Sequence, residues 1–395
     1  MAEPGAEPAR GFTPDELAAR TARAQALMTE AGIDILLLTT EPEFRYYSGF
    51  LTQFWQSPTR PWFLLVPAEG KPVAVVPSIG AECLARTWLD DVRSWPSPRP
   101  EDEGVTLLAD AVLELAGPRA RIGLPMGPET HLRMPLADHA RLVAGLEDCA
   151  FVDAGAIVRE LRMTKSPAEI GKIAHICALV SGVFEALPGF VSTGMSEAEI
   201  FRAFRIECLQ RGADDVPYLV GGAAPGGIGD IISPPSERRT EPGDVLMLDT
   251  GATFDGYYCD FDRNYAFERA DDDARRAYAT VRAAVDAGFE AARPGVTCAE
   301  LFRAMQAVLE RGGALGNDVG RLGHGLGMQL TEWPSHRPGD ETVIRPGMVL
   351  TLEPGMTFRP GRVMVLEENI VIGEDGPAWL TRPAPTELPV IGEGG

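Results

Sequence analysis

The chain has 395 residues, 45% of them hydrophobic and 24% charged, which is enough apolar material for two or three separate cores. Its net charge of −21 argues against a nucleic-acid partner, because a phosphate backbone is gripped by surfaces rich in Lys and Arg. Six cysteines (Cys83, Cys149, Cys177, Cys208, Cys259, Cys298) without a CxxC pair read as buried thiols of a reducing compartment. With neither a signal peptide nor an apolar run of membrane length expected, the chain is assigned to the cytoplasm, with no membrane partner.

In chain order, Met1 to about Gly11 reads as a loose arm rich in Ala, Glu and Pro. A helix from Thr13 to Ala31 leads through Gly32 into Ile33 to Leu38, a buried strand of parallel-sheet type. Trp62 to Pro67 and Pro72 to Pro77 are further strands, and Thr106 to Leu115 and His131 to Ala144 are helical. An α/β domain over 12–155 follows, closing near Phe151-Val152-Asp153. A second domain over 156–390 opens with a charged helical stretch, in which Ser166-Pro167-x-Glu169 marks a helix start.

The second domain repeats itself after about a hundred residues. Gly194-Met195-Ser196-Glu197-Ala198-Glu199 returns as Gly295-Val296-Thr297-Cys298-Ala299-Glu300, and both Ser196 with Glu199 and Thr297 with Glu300 have capping-box spacing. Pro242-Gly243-Asp244-Val245-Leu246-Met247-Leu248-Asp249 returns as Pro346-Gly347-Met348-Val349-Leu350-Thr351-Leu352-Glu353. Helix then strands, twice, predicts a pseudo-twofold α+β domain. Each repeated strand ends in a carboxylate, and an unpaired buried charge is too costly to be idle.

Asp255-Gly256 reads as a hairpin turn, with Asp249 and Asp260, eleven positions apart, roughly opposite each other across it. Glu353 and Glu367 flank a second turn near Pro360-Gly361. Four converging carboxylates require compensation, which two divalent cations would supply. His324, in Gly323-His324-Gly325-Leu326-Gly327, is the candidate imidazole ligand, with a turn-capping histidine as the alternative. Such an oxygen-rich site with one imidazole suits manganese, cobalt, iron or zinc, and the residues do not choose among them.

These residues carry a resemblance. Asp249-x-Gly251-Ala252, Gly256-Tyr257, Asp260-x-x-Arg263, His324-Gly325-x-Gly327, Glu353-Pro354-Gly355 and Glu367-Glu368-Asn369 resemble the M24 metallopeptidase family: Xaa-Pro aminopeptidases, prolidases, methionine aminopeptidases and creatinase. Gly32-Ile33-Asp34, Arg45-Tyr46-x-Ser48-Gly49-Phe50 and Arg162-x-x-Lys165-Ser166 resemble the creatinase/prolidase amino-terminal domain. The resemblance implies a pita-bread catalytic domain with two metals and a bridging hydroxide, held by Asp249, Asp260, His324, Glu353 and Glu367. It also implies that Glu353 shuttles the proton, that Asp260 and Glu367 bridge, and that the protein is a homodimer.

The sequence departs from the peptidase pattern at several points. The family's second histidine is replaced by Thr331, Ile231 to Pro234 holds no histidine, the family's Arg before the last Glu is Val365, and its Thr is Asp262. His336, close to Trp333, either supplies a missing imidazole or is a surface residue. Asp262 either steadies His324 or Arg263 or pairs with Arg263 as a structural bridge. Trp55 and Arg60 either gate the site of a dimer partner or pack between domains. Three functions follow: cleavage of a small peptide amide of Xaa-Pro type; chemistry on a non-peptide metabolite, as in relatives resembling creatinase, ectoine hydrolase or dimethylsulfoniopropionate lyase; or a non-catalytic binding module.

Overall fold

Residues 7–57, 60–316 and 320–392 are described by the computed structural model; the expected arm at residues 1–6 and part of the loop before Trp62 lie outside them. The chain divides into one unit over Ala9–Arg162 and another formed mainly by Met163–Gly395.

In the amino-terminal unit, α1 (Pro14–Ala31) starts where Thr13 Oγ1 accepts from Glu16 N and stops where Gly32 turns left-handed. It is followed by β1 (Ile35–Leu38), α2 (Glu41–Ser48), β2 (Phe63–Pro67), β3 (Val73–Pro77), α3 (Ser78–Leu84), β4 (Asp91–Trp95), α4 (Val105–Ala116), β5 (Arg121–Leu124), α5 (Leu136–Gly145), β6 (Ala150–Asp153) and α6 (Gly155–Met163). The six strands form one sheet in the order β4-β3-β2-β1-β5-β6. The expected parallel strand is in fact mixed, since β1 runs antiparallel to β2 and parallel to β5. Its unbroken apolar run reports burial on both faces, not the direction of its neighbours. α5 begins at Leu136, later than the expected His131, directly after Pro135.

The second unit contains α7 (Pro167–Ala186), α8 (Glu197–Gln210), β7 (Asp215–Pro225), β8 (Asp244–Phe254), β9 (Tyr257–Tyr258), β10 (Phe261–Phe267), α9 (Asp272–Ala291) and α10 (Cys298–Arg311). Then come β11 (His324–Gly325), β12 (Glu332–Ser335), β13 (Val349–Leu352), β14 (Gly355–Arg359), β15 (Arg362–Val365), β16 (Glu368–Gly373), β17 (Gly376–Trp379) and β18 (Val390–Ile391). One sheet runs β18-β10-β8-β7 with β9 on β8, a second runs β12-β11-β13-β16-β17, and β14 forms a two-stranded sheet with β15. The repeat is structural: both capping boxes form, and Ser196 and Thr297 make equivalent isolated bridges to Arg239 and Val343. Apolar faces of α9 and α10, including Val281, Val285, Leu301 and Met305, pack on Leu350 and Leu352 of β13.

Two compositional expectations need correction. The helix over Pro167–Gly189 is long and apolar enough to cross a membrane, yet half of that window is buried in the protein. Lys172 within it pairs with Asp255 at 2.7 Å and Glu169 accepts from the Tyr257 hydroxyl at 2.9 Å, so it packs as a core helix. Among the cysteines, Cys177, Cys208, Cys259 and Cys298 are buried, but Cys149 is only partly so and Cys83 is exposed on α3; all six are free thiols.

Candidate metal centre

The first pair of acids is placed by a tight turn. Asp255 and Gly256 both have positive φ (45° and 64°), and Phe254 pairs with Tyr257, so two residues make the turn between β8 and β9. That centre sets the ladder beyond it: Asp249 faces Asp262, and Thr250 faces Phe261. The expectation that Asp249 faces Asp260 is therefore corrected, because a turn centred between Asp255 and Gly256 puts Asp260 one pleat nearer the turn. The bond from Cys259 N to Ala252 O at 3.0 Å carries the same register through to Asp260.

The second pair stands at a break between sheets. Leu352 pairs with Glu368 in one sheet and Gly355 pairs with Val365 in the next, in continuous register. Glu353 and Glu367 occupy the step between them, where Leu366 N donates to Pro354 O at 3.3 Å. A strand leaving its sheet frees these side chains from the pleat without leaving the core.

His324 reaches the acids because β11 lies very close to its neighbours. Gly323 has φ +132°, and a Cβ there would collide with the Thr351 carbonyl oxygen and the His336 ring. Thr351 Oγ1 accepts from His324 N at 3.1 Å. Nδ1 lies 2.9 Å from the Gly325 carbonyl, which can only accept, so the ring proton sits on Nδ1 and the Nε2 lone pair faces the acids. Nε2 is 3.5 Å from Asp260 Oδ2 and 3.9 Å from Glu353 Oε2.

This arrangement fits a cation. Asp260, His324 and Glu367 each offer a ligand atom, all within 4.8 Å of one another. Asp249 Oδ1 and Glu367 Oε1 are buried without a hydrogen-bond partner, a costly condition for carboxylate oxygens unless a metal takes them up. Burial pushes the carboxyls of Asp249 and Glu353 up to about 7, with the charge of Asp249 adding to the rise at Glu353. Burial, then neighbouring carboxylates, hold Asp260 and Glu367 well above the usual carboxylate range. Burial pulls His324 down to about 3, leaving a neutral ring, the form that ligates metal.

Several supporting residues were not anticipated. Asn369 Oδ1 accepts from Asp260 N at 3.0 Å while its amide donates to Asp260 O, clamping the backbone of one hairpin to the other; Cys177 Sγ lies 3.2 Å from the same Oδ1. Tyr218, on β7, is close enough to Asp249 to offset part of the rise that burial imposes on its carboxyl. Arg321 is close enough for its charge to lower the carboxyls of Asp260 and Glu353. Tyr218 faces Gly251, and Val220 faces Asp249, so Tyr218 reaches that acid only on the diagonal, which the sequence does not signal without the register.

The remaining candidates are distributed unevenly. Arg263 pairs with Glu368 at 2.9 Å and donates to Glu367 O at 3.0 Å, so it does not bridge the Asp262 carboxylate; Asp262 Oδ1 accepts from Asn264 Nδ2 at 3.3 Å. His336 is fully buried, which removes the surface reading, and its ring packs against Gly323. Trp333, on β12, packs on the α9–α10 core, and Thr331 Oγ1 accepts from Arg321 Nη2 at 3.4 Å. In the amino-terminal unit Trp55 is buried against Phe44 and Trp62 with Arg133 over its face, and the Arg60 guanidinium lies 5.8 Å from the Phe54 ring.

Known proteins share this architecture. Residues 20–164 match the Creatinase/Prolidase N-terminal domain. "Probable dipeptidase PepE" of Mycobacterium tuberculosis is 30% identical over 383 residues, covering 97% of this chain and 98% of its own. The Xaa-Pro dipeptidase of Pyrococcus furiosus is 30% identical over 234 residues, 57% of this chain and 65% of its own. The crystal structure of dipeptidase PepE from Mycobacterium ulcerans superposes with a TM-score of 0.84 at 29% identity, covering 96% of this chain and 99% of that one. A prolidase from Thermococcus sibiricus, at 23% identity and a TM-score of 0.85 over 96% and 100% of the two chains, shares the fold. The duplicated hairpins, their acids and His324 all fall within residues 171–374, which match Metallopeptidase family M24, and the chain belongs to that family.

Proposed function

We propose that the protein is a metal-dependent dipeptidase that hydrolyses the amide bond of a small peptide of Xaa-Pro type. The observation that carries this reading is the set of orphaned carboxylate oxygens of Asp249 and Glu367 beside the unprotonated Nε2 of His324. Asp249, Asp260, His324, Glu353 and Glu367 would hold two divalent cations, manganese or cobalt before zinc or iron. Such ions lower the pKa of water and polarise a carbonyl.

The chain's own groups do the rest. Glu353 keeps 18% side-chain exposure, against 5% for Asp260 and 4% for His324, so it is the least enclosed of the three. It takes the proton released as water oxygen bonds to the scissile carbon, and returns that proton to the amine nitrogen as the C–N bond breaks. Asp260 is held at its backbone by Asn369, which keeps the two hairpins in one geometry during turnover. The 30% identical dipeptidase, matched over nearly its whole length, supports a peptide substrate.

A second reading, a non-peptide metabolite as substrate, is favoured by Thr331 and Val365, where peptidases of the family carry His and Arg. Protein reconstituted with manganese or cobalt and given Gly-Pro, Ala-Pro and a panel of small amides decides between them. Turnover of the dipeptides is expected; none at any metal loading sinks the peptidase reading. Homodimeric assembly and a cytoplasmic location, the latter consistent with six free thiols, belong to the same reading and are checked by light scattering and fractionation.

A further inference from the structure

Arg321 is a cation left over at the rim of the centre. Its neighbour Leu322 accepts from Glu353 N at 3.0 Å and donates to His336 O at 2.8 Å, so the segment carrying Arg321 runs alongside the acid proposed to move the proton. The residue is half-buried, and its guanidinium makes one side-chain hydrogen bond, from Nη2 to Thr331 Oγ1 at 3.4 Å. Among the described residues no carboxylate pairs with it, although Glu353 and Asp260 both feel its charge.

That lack of a partner is informative. A guanidinium placed only to offset the acids would pair with one of them, as Arg263 does with Glu368 at 2.9 Å. Once the four ligand carboxylates are matched by two divalent cations, their charges cancel and Arg321 is in surplus. Its planar fork suits a carboxylate, which it can hold through two parallel N–H···O bonds. A dipeptide carries such a group one residue beyond its scissile amide, whereas a longer peptide or a carboxamide carries no charge there.

We propose that Arg321, oriented by the Thr331 hydroxyl, seats the free carboxylate of a dipeptide and so selects substrates by length; this rests on the peptidase reading. The support for Thr331 is rigid. Its neighbour Glu332 is paired with buried Lys165 at 3.1 Å and accepts from Gln329 N at 3.1 Å, which pins the loop between β11 and β12. The hydroxyl at position 331, where an imidazole is expected, gives the guanidinium an acceptor.

The test compares free acids with carboxamides, alanyl-proline with alanyl-prolinamide and alanyl-leucine with alanyl-leucinamide, on manganese-loaded wild type, Arg321→Met and Arg321→Lys. Wild type should favour the acid by at least about tenfold in kcat/KM, and the acid-to-amide ratio should fall toward one in Arg321→Met, through KM, while Arg321→Lys retains part of it. Equal use of acid and amide by wild type, or equal loss on both in Arg321→Met, overturns the seat; metal content and thermal melting of each variant separate that outcome from misfolding. If wild type cleaves none of these compounds, the peptidase reading fails by itself. Calorimetric binding of alanyl-proline and its amide to wild type and Arg321→Met then reads the seat directly, and equal affinities overturn it.

Discussion

Asp249 and Asp262 are register partners across β8 and β10, two carboxylates on facing positions of one antiparallel ladder. Burial and then the charge of Asp249 hold the Asp262 carboxyl well above its usual range. The pair repels in the metal-free protein and strengthens the negative field that a cation would enter. Asp262→Asn should therefore stabilise the metal-free protein by about 1 kcal/mol and weaken manganese affinity about tenfold. Denaturation of metal-free protein and chelator competition measure the two effects, and an unchanged affinity would remove Asp262 from the electrostatics of the centre.

Chelation should cost stability as well as turnover. Cations bound to the folded state stabilise it by mass action, by about 3 kcal/mol at a hundredfold excess over Kd. Exhaustive chelation is expected to lower the melting temperature by several degrees, with manganese restoring both melting and activity. Identical melting with and without metal would argue against ligation by the buried acids.

Glu353→Gln keeps the shape of the side chain and removes its ability to take a proton. The expected loss in kcat is about 10²–10⁴-fold, with the circular dichroism spectrum unchanged. Full turnover in this variant would place the proton elsewhere.

His336 gives a pH signature. Burial pulls its imidazole down from 6.5 to about 4, so between those values the unfolded chain binds a proton that the folded chain refuses. Stability is whole above about pH 6.5 and falls as the pH drops toward 4. In metal-free protein, His336→Gln should shrink that acid-side loss by up to about 3 kcal/mol. Parallel stability curves for the two proteins from pH 7 to 4.5 would contradict this.

The Lys165–Glu332 pair is 2% and 5% exposed, and each charge depends on the other. Lys165→Met should cost about 3–5 kcal/mol by stranding Glu332, and adding Glu332→Gln should recover part of it. Urea titration of the single and double variants gives the coupling; strict additivity would mean that the two residues act separately.

The sequence alone determined much of this centre. Val245 to Leu248 and Val349 to Leu352 can only be buried strands, their terminal acids demand a partner, and Ser196-Glu199 and Thr297-Glu300 announce the repeated helices, because these are local properties of spacing and polarity. Thr13 and Gly32 likewise mark both ends of α1. Tertiary structure decided what depends on register and on residues far apart in the chain. The two-residue turn at Asp255-Gly256 made Asp262, not Asp260, the partner of Asp249, since one residue of offset in a turn shifts every pairing beyond it. The neighbours of β1 on either side settled the mixed sheet, which no property of Ile35 to Leu38 encodes. Asn369 across from Asp260, and Arg321 beside Thr331 with no acid pairing with it among the described residues, exist only once segments a hundred or ten residues apart are brought together, because a charge is paired or free according to its neighbours in space.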